Sequence, residues 1–208
     1  MQVVYLGLAL LIGGGLILFG VGTGSGGGGL LGAFTGGGSG GNSNQVVSAQ
    51  VKAAELQTRQ DPSNPAAWSA LVSAQWQSAS STGYNSSTQT YNATGQKDLA
   101  ALAQAWQHYI ALTKTPDPDI AILAARAYEH LGQYANAANA WQAITSVNTN
   151  QINAFACLAA NAYAAKQTRV GTLAEAKTIS LAPKTERTQL KSEISAAKTQ
   201  PSVVLSIC

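Results

Sequence analysis

The sequence predicts an all-α protein, and three observations lead there. Between Asp117 and Ile144 the apolar residues recur at helical spacing, first at Ile120, Leu123, Ala124, Ala127, Tyr128 and Leu131, then at Tyr134, Ala137, Ala138, Trp141 and Ile144. The ends of these stripes carry helix punctuation: Asp117 is an N-cap, Pro118 suits the first turn where its missing N–H costs nothing, and Gly132 takes the left-handed conformation that stops a helix. The same pattern recurs on both sides of this segment. A helical hairpin of this kind cannot bury its two stripes alone, so it needs neighbours like itself.

Taken from the start, Val3 to Val21 is almost wholly apolar, about 19 residues that as a helix span about 28 Å, the depth of a bilayer core. Gly7, Gly13, Gly14, Gly15 and Gly20 weaken a helix in water but are common in membrane helices, where they permit close contact. No Lys or Arg occurs before Lys52, and no small-x-small cleavage site is evident. The segment therefore reads as an uncleaved anchor rather than a removed signal peptide, with the body outside the cytoplasm. Residues 22–43 form a glycine-rich linker, interrupted by Leu30, Leu31, Ala33 and Phe34, whose side chains seek lipid headgroups or another subunit. Gly24, Gly26 and Gly29 match a dinucleotide-binding spacing, but no strand precedes them and no acidic residue follows about 20 positions on, so the match is accidental.

Helices resume at Asn42 or Ser43, with Val47, Val51 and Ala54 as a narrow stripe that ends before Asp61 and Pro62. Asn64 and Pro65 restart a helix carrying Trp68, Leu71 and Val72. Ser78 to Gly95, rich in Ser, Thr, Asn and Tyr, is an inserted loop holding two formal glycosylation sequons at Asn85 and Asn92. The stripe Leu99, Leu102, Ala103, Trp106, Tyr109, Ile110 closes the first hairpin. After the central hairpin come a helix with Phe155, Leu158, Ala159 and Ala162, its partner over Leu173 to Ala182, and a last helix, Thr185 to Lys198, with one wet face. The apolar tail, residues 200–208, is too short for a helix and is expected to fold back on the last helices or to add to a neighbouring subunit.

The central segment resembles a tetratricopeptide repeat (TPR): Ala125, Tyr128, Gly132, Ala137 and Trp141 sit where that family places a small residue, a Tyr, a Gly, an Ala and an aromatic. Trp68, Leu71 and Val72 match the early positions of a first helix, and Leu181-Ala182-Pro183 is similar to the usual repeat ending. The family's early Trp and Leu positions fall on Ala121 and Ala124, one residue after Ile120 and Leu123, which predicts a slightly rotated first helix. The resemblance implies a right-handed α-solenoid of about three hairpins over residues 44–199. It also implies a concave binding face built from the first helix of each hairpin: Ser69, Ser73, Trp76 and Gln77, then Ile122, Arg126, Glu129 and His130, then Asn153, Ala160 and Tyr163. That lining is nearly neutral. It suits an extended or apolar protein segment, with Trp76 and Tyr163 as candidate anchors or else packed between repeats, better than a carboxylate clamp, which needs several cations besides Arg126.

Composition bounds the function. Of 21 glycines, 17 lie in residues 1–41, and all 21 charged side chains lie from Lys52 onward. A net charge of +3 is too small to imply nucleic acid. The charged fraction, 10% against an average of about 25%, favours association with other proteins or with copies of the chain. Zinc, phosphate-loop, hydrolase and haem signatures are missing from the sequence, which points away from an enzyme and away from cofactors or catalytic metals. For Cys157 two readings are open, a plain buried thiol or a disulfide to Cys208 in an exported protein. The sequence as a whole reads as a protein-interaction scaffold held in the cell envelope. The alternative is a subunit of an extracellular filament with residues 3–21 in the assembly core.

Overall fold

The computed structural model describes residues 43–208, which are predominantly α-helical. The apolar segment Val3 to Val21 and most of the glycine-rich linker lie outside the described residues. Among the described residues no helix is long and apolar enough to cross a membrane.

The helices are α1 (Ser43–Gln60), α2 (Pro65–Ser78), α3 (Ala93–Leu112), α4 (Pro118–His130), α5 (Tyr134–Val147), α6 (Ile152–Ala164), α7 (Thr168–Leu181), α8 (Arg187–Ala196) and α9 (Val204–Ile207). Residues 47–208 form one unit in which helices pack as consecutive hairpins: α2 with α3, α4 with α5, α6 with α7. Each hairpin also touches the next, α4 against α2 and α3, and α6 against α5, while α8 lies on α6 and α7.

Local sequence explains the boundaries. Asn64 and Asp117 accept hydrogen bonds from the backbone N–H groups of Ala66 and Asp119, capping α2 and α4, and a proline follows each cap. Helix α4 ends in a Schellman turn: Gly132 N–H donates to Glu129 O, Gln133 N–H donates to Tyr128 O, and Gly132 sits at φ +69°. Helix α6 ends the same way through Lys166 and Gln167, with Lys166, not glycine, at φ +63°.

The core is alanine-rich. Ala121, Ala124, Ala125, Ala127, Ala137, Ala138, Ala159, Ala160 and Ala162 are all buried, so helix axes can approach closely, and Trp106, Tyr109, Tyr128 and Trp141 fill the remaining space. The expected rotation of α4 does not occur. Ala121 and Ala124 point into the core, while Ile120 and Leu123 are half-buried at its margin, because the small side chains permit the closest helix approach. Polar ties join the hairpins: Tyr128 Oη accepts from Gln107 and donates to Ala103 O, and Tyr109 Oη accepts from Asp117 N–H.

Two segments depart from expectation. The insertion is ordered: a wider π-type turn at Ala79–Gly83 leads into a two-residue antiparallel ribbon, β1 (Tyr84–Asn85) with β2 (Thr90–Tyr91), in the register Tyr84 to Tyr91. Asn85 Oδ1 accepts from Ser87 and Thr88 N–H to shape the turn, and Asn92 Oδ1 caps α3 through Gly95 N–H. The tail, read as too short for a helix, makes a 3₁₀ turn at Pro201–Val203 and one α-turn, α9. It can do so because Val204 is buried against α6 and α4 and Cys157 is bonded to Cys208.

Candidate functional site

On the side of α4 turned toward the ribbon lies a cleft of about 660 Å³, walled by four pieces of chain. The floor is α4. Because α4 commits Ala121, Ala124, Ala125 and Tyr128 to the core, Arg126, Glu129 and His130, at i, i+3 and i+4, face the cleft together. One wall is Trp76 and Ser80 from the end of α2 and the turn that follows; the second is Tyr84 and Thr88 to Tyr91 of the ribbon; the third is Leu205 and Cys208 of the tail.

Aromatic contacts fix the ribbon wall. The Tyr84 and Tyr91 rings lie 5.0 Å apart across the strand pair, and Tyr91 meets the His130 ring edge-on at 4.8 Å. Gly83 and Gly95 let this wall reach α3, since a Cβ on Gly83 would fall on the Gly95 backbone and one on Gly95 would come 2.7 Å from the Tyr91 ring.

Beneath the cleft runs a buried polar network centred on Glu129, which is 3% exposed. Its Oε1 accepts from Trp141 Nε1 at 2.7 Å and from Asn161 Nδ2 at 2.6 Å, joining α4, α5 and α6. Burial pushes the Glu129 carboxyl up to about 7, opposed by those two hydrogen bonds and by the charge of Arg126. Burial likewise lowers the His130 imidazole below its ordinary value, and Arg126 adds to the effect. Asn161 continues the network to the disulfide, its Nδ2 lying 3.8 Å from Cys208 Sγ, while its own Oδ1 is buried without a hydrogen-bond partner.

Of the residues expected on a concave face, the cleft gathers Trp76, Arg126, Glu129 and His130. Others lie elsewhere. Ser69 and Ser73 turn their hydroxyls back to carbonyls of α2, Gln77 and Asn153 are exposed outside the cleft, and Ile122 and Ala160 pack into the core. Tyr163 is not an open anchor: it is 3% exposed, and its hydroxyl donates to Glu175 Oε2 at 2.6 Å. Lys198 lies 4.1 Å from the Tyr163 ring centre, so the aromatic is spent on joining α6, α7 and the end of α8. Among the described residues no cluster of His, Cys, Asp or Glu is placed to hold a metal.

Sequence reasoning missed Tyr84, Gln89, Tyr91 and Leu205 of the lining, and Asn161 of the buried network beneath it. Two signals were present. Tyr84 and Tyr91 flank a run of turn-forming residues as a cross-strand aromatic pair would, and Asn161 stands alone among alanines of α6, where a buried amide must find partners. No protein-family model matches the chain, and neither a curated protein nor a solved structure is significantly similar to it.

Proposed function

We propose that residues 47–208 form a TPR-like α-solenoid whose cleft docks an extended segment of a partner protein, without catalysis. The observation that carries this reading is the convergence of Trp76, Tyr84, Arg126 and His130 on one cleft formed on the side of the first helices α2 and α4. Aromatic faces and Arg beside a buried floor are the usual composition of a protein-binding hot spot. The repeat character is supported by spacing: Pro118 to Ile152 and Tyr134 to Thr168 are both displacements of 34 residues, the length of a TPR unit. The Schellman residues Gly132 and Lys166 stand 34 apart as well.

The disulfide supports placing the body in an oxidising compartment, outside the cytoplasm, with residues 3–21 as its anchor. Fractionation of the full chain tests that placement: recovery with membranes is expected, and a wholly soluble chain contradicts it. For the cleft, peptides selected from a random displayed library against the full chain should lose affinity by about tenfold or more with Trp76→Ala. Selected binders indifferent to Trp76→Ala and Arg126→Ala alike would contradict docking there.

A further inference from the structure

The tail that forms the third wall of the cleft is short. Residues 201–208 make one 3₁₀ turn and one α-turn that rest on α6, α8 and α4 through buried Val204 and partly buried Val203 and Ile207, and Cys208 is bonded to Cys157. Leu205 is 45% exposed and faces the cleft. The two sulfurs are unequal. Cys157 is buried within α6, whereas Cys208 is partly exposed and lines the cleft. Directly behind them Asn161 keeps Oδ1 buried without a donor, a costly arrangement in a core. Cys157 lies one helical turn before Asn161 on α6, and Asn161 Nδ2 donates to Cys157 O and lies 3.8 Å from Cys208 Sγ, so the disulfide and this amide share one buried corner.

We propose that the Cys157–Cys208 disulfide is a redox gate on the cleft: its reduction by a dithiol frees residues 201–208 from α6, α8 and α4, removes the Leu205 wall and opens the cleft toward Asn161. In the exchange a thiolate of the dithiol attacks Cys208 Sγ from the cleft side, and the Cys157–Cys208 bond breaks with Cys157 leaving as a thiolate that takes up a proton. The second thiol of the reductant then attacks its own sulfur in the mixed disulfide. Cys208 is released and protonated, and the reductant departs as its cyclic disulfide; two electrons and two protons have passed to the protein. The consequence for partner binding rests on the docking function proposed above, but the gate itself does not.

Hydrogen exchange of the full chain, oxidised and then reduced with dithiothreitol, reads the gate with no partner present. On reduction the amides of residues 203–208 are expected to exchange faster by about tenfold or more, while α3 to α6 keep their protection. Cys208→Ser without reductant is expected to match the reduced pattern. Unchanged exchange in residues 203–208 would overturn the gate, since packing alone would then hold the tail. Loss of protection through α4 to α6 would overturn it too, because the bond would be a staple for the whole unit. Failure of peptides to bind the cleft leaves these outcomes untouched, so the two proposals fall separately.

Discussion

Glu129 is the residue on which the most turns. Its carboxyl, lifted by burial to about 7, holds a proton in the folded chain at pH values where an unfolded glutamate has already lost it. Folding therefore takes up a proton between about pH 4.5 and 7. The stabilisation from this group is complete below that window and falls away as pH rises through it. His130, lowered by burial, acts oppositely and weakens the fold as pH drops below its ordinary titration. Glu129→Gln keeps an oxygen for Trp141 and Asn161 but removes the titration. Urea unfolding across pH should show the variant gaining on the parent as pH rises from 5 to 8, by on the order of 2 kcal/mol. A parallel pair of curves would show that Glu129 is not held neutral by burial.

Two further residues make a matched test of the helix ends. Gly132 and Lys166 occupy equivalent left-handed positions after α4 and α6, and only one is glycine. Gly132→Ala should cost about 1 kcal/mol, because a Cβ is strained there, and Lys166→Gly should gain up to about 1 kcal/mol. The gain is trimmed by loss of the exposed hydrogen bond from Lys166 Nζ to Lys198 O. Denaturant midpoints of the two variants should move in opposite directions.

At the scale of elements, the ribbon and the turn before it decide whether the cleft has its second wall. Their seat is the close approach of Gly83 to Gly95. Gly95→Ala would drive a methyl into the Tyr91 ring and the Gly83 backbone, so it should destabilise by about 1 to 3 kcal/mol and free the ribbon. Loss of the ring-current shift that His130 imposes on Tyr91 would report it by NMR; a Tyr91 signal unchanged from the parent would show that the seat tolerates the methyl. This is also the element that the sequence disclosed least. Helix period and caps located α2 and α4 to within a residue or two, because Asn64, Pro65, Asp117, Pro118 and Gly132 act locally. The ribbon depends on Gly83 meeting Gly95 and Tyr91 meeting His130, contacts that no local pattern encodes. The tail is similar: Val204 and Ile207 become helical only where α6 and α4 cover them.

At the scale of the molecule, a low-charge body is held together by small-residue packing and by polar ties from one hairpin to the next. Tyr128 links α4 to α3, Glu129 links α4 to α5 and α6, and Tyr163 with Glu175 links α6 to α7. Misplacing Tyr163 as an open anchor came from reading one helix without its partner: Glu175, twelve residues on, claims its hydroxyl. The disulfide joins positions 51 residues apart, yet as a gate it acts on the tail alone. Cys208→Ser should therefore leave the helices α3 to α6 and a cooperative transition intact, checked by circular dichroism.

The central claim is that the cleft between α2, the ribbon, α4 and the tail is where a partner segment lies. Hydrogen exchange of the full chain with and without a saturating library-selected peptide addresses it most directly. The account predicts added protection in residues 76–91, 126–131 and 203–208, with α5 and α7 unchanged; protection confined to α5 and α7, or none anywhere, would contradict it.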